Sequence, residues 1–285
     1  MRFLGRHGDN PTDPGVQAPG YGAPVPELVE VEQYRRLAQR VVGRRLMGVD
    51  VVDPHVTRGR VPTAALAAAL VGRRVRAVRR HGKLLLLDVD GATLGLRFGM
   101  TGTLVVDGIA GVDRLQHAPA ALEERWVRFR LAFAPSGELV LHDPRRLGRV
   151  ELDPDDRALG PDAAVVRPAE LTRALQAGSG RSPLKARLID QRHLAGVGNL
   201  LADEVLWRAG LSPRRAAGGL SPAEVRRLHR HLRGTIDALL ERGGSHTGDL
   251  MASRRPGGRC PRDGTELCRA AVGGRTTWWC PRHQR

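Results

Sequence analysis

The hydrophobic period of this chain changes once, near residue 160, and the change restricts it to a β-rich part followed by a helical one. Before that point, LLLLDVDGATLGLRF places an Asp90-Gly91 turn between two apolar runs, a hairpin pattern. In WVRFRLAFA, Val127, Phe129, Leu131 and Phe133 alternate with residues that include Arg128 and Arg130, as on a sheet with one buried face. Ahead of the strands, Leu28, Val31, Tyr34, Leu37 or Ala38, and Val41 recur at helical spacing. After the change, SPAEVRRLHRHLRGTIDALLERGG opens with Ser221 as N-cap, Pro222 at the first helical position and Glu224 at the third, a capping box. Its stripe is Val225, Leu228, Leu232, Ile236 and Leu239. The fold class is α+β. Expected divisions are a β domain with an N-terminal helix at 26–157, a linker at 158–167 covering most of LGPDAAVVRP, a helical domain at 168–250, and a terminal module at 254–285. Residues 1–25 carry no periodicity and are predicted to be disordered.

The last 30 residues hold too few aliphatic side chains for a core of their own and need a staple. All three cysteines, Cys260, Cys268 and Cys280, lie there. An odd number argues against a disulfide framework and for a local metal site. Cys260-x2-Asp263 and Cys280-x2-His283 are separated like the two knuckles of a zinc ribbon, with Asp a less usual but acceptable ligand. Cys268 could stand in for Asp263, although its separation from Cys260 does not suit a knuckle. One structural Zn2+ is expected; the alternative is a metal-free hairpin held by Trp278 and Trp279.

The formal charge is +16, which points to a polyanionic partner, usually nucleic acid. Among 46 basic residues only Lys83 and Lys185 are lysines. Arg keeps its proton, whereas Lys offers a compact ammonium that can titrate, so a lysine retained against such a bias invites attention. No run of 18 apolar residues exists, so no membrane span is expected. The first 25 residues have no apolar core of a secretory signal. The expectation is a cytoplasmic, nucleoid-associated monomer that binds DNA.

Four segments could carry chemistry, each with a plainer alternative. In RRHGKLLLL, Lys83 is either a surface lysine at a strand start or a cation placed for phosphate. HDPRRLGRVEL is a basic hairpin loop, or one that sets Arg against a base edge and an apolar wedge in the stack. In RFGMTGTL, Met100 stands between Gly99 and Gly102, as a buried Met or a second wedge. In AGVGNLLADEVLWRAGLSP, Gly196 and Gly198 feed a helix opened by Asn199, whose N–H groups form a phosphate site or merely a helix connection.

Taken in order, PELVEVE, RRHGK, GMTG, DPRRLG, LIDQ…AGVGNLLADE and the terminal GRTTWWC ribbon resemble the formamidopyrimidine-DNA glycosylase and endonuclease VIII family of base-excision repair enzymes. PELVEVE leans toward the formamidopyrimidine branch. The resemblance covers residues 26–285. It implies a two-sheet β-sandwich with flanking helices, a helix–two-turn–helix domain and a zinc ribbon, with damaged double-stranded DNA in the cleft between the domains. It further implies that Pro26 is a nucleophile, Glu27 the adjacent acid/base, Lys83 an assisting cation and Glu204 a supporting carboxylate. Met100, Arg145 and Leu147 would fill the gap left by the extruded nucleotide. Arg97, Asn199 and Arg275 would grip phosphates.

That chemistry needs a free N-terminal amine, since an amide nitrogen between Val25 and Pro26 is neither basic nor nucleophilic. Val25 is encoded by GTN, and GTG can serve as a start codon. The expectation is a mature enzyme that begins at Pro26, residues 1–25 being an untranslated or removed extension. If they are retained, the alternative is a protein that binds lesions or abasic sites without cleaving. Departures from the family pattern are Val29 for a second proline, Leu147 for the wedge phenylalanine, Arg97 for a histidine, and Asp263 and His283 for two ribbon cysteines. Only MASRRPGGR stands where a longer loop caps the flipped purine, which leaves oxidised purines, formamidopyrimidines and oxidised pyrimidines all open as substrates.

Overall fold

A computed structural model describes residues 26–112 and 122–285; the expected extension at 1–25, with Val25, lies outside the described residues. Helix α1 (Leu28–Ala38) buries Leu28, Val31, Tyr34 and Ala38 completely, the stripe its spacing predicts. Two antiparallel sheets follow. The first runs β1 (Arg45–Asp50), β7 (Val127–Ala134), β8 (Glu138–His142), β5 (Thr103–Val106) and β6 (Ile109–Ala110). The second runs β2 (Val75–His81), β3 (Leu84–Val89), β4 (Ala92–Arg97) and β9 (Arg149–Leu152). The expected hairpin is β3–β4: Val89 pairs with Ala92 across Asp90-Gly91, and Gly91 takes φ +77°, which glycine adopts without a Cβ penalty. In β7 the alternation holds, with Phe129, Leu131 and Phe133 buried and Phe129 and Leu131 opposite Leu141 and Leu139. Leu85, Leu87, Leu94 and Leu96 of one sheet close a single core with Leu104, Phe129 and Leu141 of the other. Each such burial contributes about 1.5–3 kcal/mol. Helix α2 (Thr63–Leu70) packs beside β1; its text, TAALAAAL, is too uniformly apolar to show a period.

Four helices follow: α3 (Pro168–Gln176), α4 (Leu184–Ile189), α5 (Asn199–Ala209) and α6 (Pro222–Glu241). At the start of α6 the Ser221 hydroxyl accepts from Glu224 N and the Glu224 carboxylate accepts from Ser221 N, the capping box read from the sequence. Gly210, at φ +65°, ends α5. Helix α1 joins the two halves. Its Leu28 and Val29 belong to the helical core, while Val31 and Tyr34 belong to the sandwich core.

The terminal module is a hairpin of β10 (Cys268–Val272) and β11 (Arg275–Trp279). Its shortage of aliphatics is met by borrowing, because Trp207 of α5 and Leu250 pack with Leu267, Trp278, Cys260 and Cys280. A buried ion pair fixes it in place. Lys185 of α4, fully buried, lies 2.6 Å from Asp203 of α5 and donates to Thr277 Oγ1 of β11 at 2.8 Å. Asp203 also receives Arg254 at 2.8 Å. Among the described residues no helix is long and apolar enough to cross a membrane.

Candidate functional site

Glu27 follows Pro26 directly, and its carboxylate sits on the N-terminus of α5. It accepts from the N–H groups of Gly198, Leu200 and Leu201 at 3.0, 2.8 and 3.0 Å. Both it and Pro26 are buried. A carboxylate at a helix N-terminus satisfies orphan donors and meets the favourable end of the helix dipole. The two glycines of AGVGN make room for it. A Cβ at Gly198 would collide with the Glu27 carboxyl, and one at Gly196 would lie 2.5 Å from Leu28 Cδ1. The sequence presents this turn as a phosphate site, but these three N–H groups already belong to Glu27. Asn199, the first residue of α5, keeps a buried side-chain oxygen with no hydrogen-bond partner among the described residues.

Lys83 stands in the turn between β2 and β3, and this turn meets the same loop. Gly82, at φ +58°, lies so close that a Cβ would be 2.7 Å from Ala195 Cβ and 2.9 Å from Gly196 N. Asp162 clamps the turn from the interdomain segment: its carboxylate accepts from Gly82 N at 2.7 Å and from Arg80 at 2.6 Å, and Arg80 also reaches Glu32. The segment that reads as a linker is therefore a brace. Burial pushes the Lys83 ammonium below the ordinary lysine value; the charges of Glu27 and Glu30 oppose this and that of Arg275 adds to it. No side-chain hydrogen bond or ion pair holds Lys83 among the described residues. Arg275, exposed at the start of β11, belongs to the hairpin whose β11 packs against α5. Its turn packs on the helical domain, where a Cβ at Gly273 would be 2.8 Å from Ala186 Cβ.

The two expected wedge turns lie together. Gly99, at φ +58°, approaches so closely that a Cβ would be 2.6 Å from the backbone carbon of Leu147. Met100 and Leu147 are partly exposed and Arg145 is exposed. Tyr34 of α1 donates to Gly102 O at 3.0 Å, which ties this turn to the helix that follows Pro26. Of the two arginines at the tip, Arg146 turns away to a bidentate pair with Asp53, at 2.6 and 2.8 Å. Arg145 has no side-chain partner among the described residues. Arg97 is engaged elsewhere, 3.0 Å from Glu151 across β4 and β9.

Glu204 does not join the Lys83 turn. It is buried in α5, receives Arg208 at 2.8 Å and accepts from Asp249 N and Leu250 N at 3.0 and 2.9 Å. It holds the chain that leads into the terminal module. Glu30 is a carboxylate that sequence reasoning left without a role. It accepts from Glu27 N at 2.9 Å and from Ser245 N and Oγ at 2.7 and 3.0 Å. Burial, reinforced by the Glu27 charge, pushes its carboxyl above the usual range. Its presence in PELVEVE was the available signal; its partner 215 residues away was not.

Cys260, Asp263, Cys280 and His283 bring their ligand atoms within 4.8 Å of one another. Cys260 Sγ is 3.6 Å from His283 Nδ1, and Asp263 Oδ2 is 3.4 Å from both Cys280 Sγ and His283 Nδ1. Tetrahedral Zn2+ with bonds of about 2.0–2.3 Å separates its ligands by roughly 3.3–3.8 Å, so the quartet fits such an ion. His283 Nε2 lies 3.2 Å from Trp207 O, which favours a proton there and leaves Nδ1 as the ligand atom. Cys268 pairs with Trp279 in the hairpin and stands outside the quartet. The group can hold a metal ion.

A family model described as the formamidopyrimidine-DNA glycosylase N-terminal domain matches residues 25–150, and one described as its H2TH domain matches residues 159–250. The formamidopyrimidine-DNA glycosylase of Methylococcus capsulatus is 34% identical over 283 residues, covering 92% of this chain and 100% of that protein. That of Chloroflexus aggregans is 33% identical over 282 residues, covering 90% and 98%. Among solved structures, the Lactococcus lactis enzyme bound to DNA containing a formamidopyrimidine lesion aligns with a TM-score of 0.75 at 25% identity, covering 91% of this chain and 100% of that one. A second structure of it, non-covalently bound to DNA containing an abasic site, aligns with the same score, identity and coverage.

Proposed function

The chain belongs to the formamidopyrimidine-DNA glycosylase family, and on that premise we propose that it is a base-excision repair enzyme that removes oxidised bases from duplex DNA and then cleaves at the abasic site. The observation that carries this reading is the seating of the Glu27 carboxylate on the N-terminus of α5, with the Lys83 turn packed on the loop before that helix. Residues from the sandwich and the helical domain meet beside Glu27, next to Pro26, whose secondary amine, once free, forms an iminium directly.

A base inside a duplex is out of reach, so its nucleotide is extruded at a cost of a few kcal/mol. Met100, Arg145 and Leu147 occupy the hole. The Pro26 amine displaces the base at the sugar C1′, the base leaving with a proton. The amine then gives up its proton and the C1′–O4′ bond opens with O4′ protonated, leaving an iminium at C1′ that acidifies C2′. Loss of a C2′ proton expels the 3′ phosphate and breaks the strand. An α-amino group ionises about two to three pH units below lysine, so more of it is nucleophilic near neutrality. Glu27 sits one residue away to move protons. Lys83 and Arg275 hold phosphate, with Asn199 beside them. Arg97 would first have to leave Glu151, so its share is the smallest. Glu204 supports the site by anchoring the chain after α6. In this reading the sandwich at 26–157 and the helical domain at 168–250 form the walls of the cleft. The quartet of Cys260, Asp263, Cys280 and His283 binds one Zn2+, which cross-links the terminal module.

The active form begins at Pro26, and the start of the family match at residue 25 supports that. The second reading, a lesion-binding protein without chemistry, follows if residues 1–25 stay attached. Duplexes carrying one oxidised purine or pyrimidine separate the two: base release is expected from at least one of them. Tight lesion binding with no base released from any would select the second reading.

A further inference from the structure

We propose that Asp143 locks the two DNA-facing tips, Met100 on one turn and Arg145–Leu147 on the other, into one wedge that enters the duplex as a unit; this rests on the wedge role given to those tips above. Asp143 is fully buried, and among the described residues no arginine or lysine side chain is hydrogen-bonded to its carboxylate. Instead, Oδ2 accepts from Leu147 N and Gly148 N, both at 2.6 Å, and Oδ1 accepts from Arg145 N at 3.2 Å. The remaining bond crosses between the turns: Thr101 Oγ1, next to Met100, donates to Oδ1 at 2.7 Å. Charge-assisted bonds of this length are the stronger kind.

Asp143 is itself fixed at its backbone. Its N–H donates to Trp126 O at 2.8 Å and its carbonyl accepts from Arg128 Nε at 2.8 Å. Arg146 takes the left-handed φ of +56°, and its pair with Asp53 draws its side chain off the tip. Thus one carboxylate sets the spacing of Met100, Arg145 and Leu147. Two tips that moved separately would each lose conformational freedom on insertion, whereas a preformed wedge has lost it already. Asp143 is a positioning residue in this scheme; it touches no substrate.

The test mixes the protein that begins at Pro26 with a duplex that has 2-aminopurine beside an oxidised base and follows the fluorescence rise as the stack opens. T101V and T101A remove the crossing bond, and T101S keeps the hydroxyl. Loss of one bond to a charged group should slow the rise by about tenfold in both, with T101S near wild type and affinity for undamaged duplex held within about twofold. In an L147A background, T101A should add little, because the tip it steadies is gone. A rise at wild-type rate in both variants overturns the proposal. So does a slowing matched by an equal loss of affinity for undamaged DNA, the mark of general unfolding. If wild type opens the stack yet releases no base, the glycosylase reading fails and the wedge coupling stands. If wild type never opens the stack, the wedge itself is refuted.

Discussion

The carboxylate of Glu27 lies 2.8 Å from the backbone nitrogen of Leu200, so the residue after Pro26 serves as the cap of a helix that begins 172 positions later. Position 198 makes the relationship testable. Any side chain there would occupy the space of the Glu27 carboxyl. Gly198→Ala should destabilise the protein by about 2 kcal/mol or more, since it displaces a buried charge from its donors. Urea denaturation measures this, and an unchanged midpoint would mean that Glu27 sits elsewhere.

Glu27→Gln is expected to spare more of the fold, because glutamine can still accept from one or two of these N–H groups. It cannot move a proton as a carboxyl does. Base release should fall by about 100-fold or more, while binding to an abasic-site duplex stays near wild type. Single-turnover kinetics beside a binding titration separate the two.

Lys83 gives a pH test with a definite sign. Burial lowers its pKa in the folded state, so between that value and the ordinary lysine value the unfolded chain binds more protons. Its unfavourable contribution is therefore complete below the lowered pKa and fades as pH rises toward the ordinary one. Lys83→Met should raise Tm at pH 7, by on the order of 1–2 °C given that the side chain is only partly buried. The gain should shrink toward pH 10. A gain that grows with pH would contradict the assignment.

Lys185 and Asp203 tie the terminal module to the helices. Lys185→Met leaves a buried carboxylate with Arg254 as its remaining charged partner, and breaking such a pair costs about 3–5 kcal/mol. Limited proteolysis should then cut residues 251–285 well before the rest of the chain. Uniform digestion would mean that the pair does not hold the module.

Much of this architecture is readable in the sequence where the signal is local. The Ser221–Glu224 box, the Asp90-Gly91 hairpin and the alternation in β7 each lie within one short stretch. Helix α2 is not readable, because TAALAAAL is apolar on every side and so has no phase. The site is readable as residue types in order, whereas its wiring is not. Glu30 meets Ser245, Asp162 meets Gly82, and Lys185 meets Thr277 across 215, 80 and 92 residues. No spacing rule spans such distances. The N-terminus of α5 shows the same limit: its glycines suggest room for a phosphate, and the room is for Glu27.

The quartet predicts about one equivalent of zinc per chain by elemental analysis. With Asp263 as one ligand, a chelator should strip the metal faster from the wild type than from Asp263→Cys, since thiolate is the softer donor and zinc favours it. Equal rates would place Asp263 outside the coordination shell.

The most direct test is borohydride trapping on a duplex with one abasic site, run on a protein whose first residue is Pro26 beside the full 285-residue chain. A covalent adduct with the shorter protein alone is the expected result, because only there is the proline nitrogen a free amine. If neither protein is trapped although both bind the duplex, Pro26 is not a nucleophile and the enzyme assigned here does not cleave.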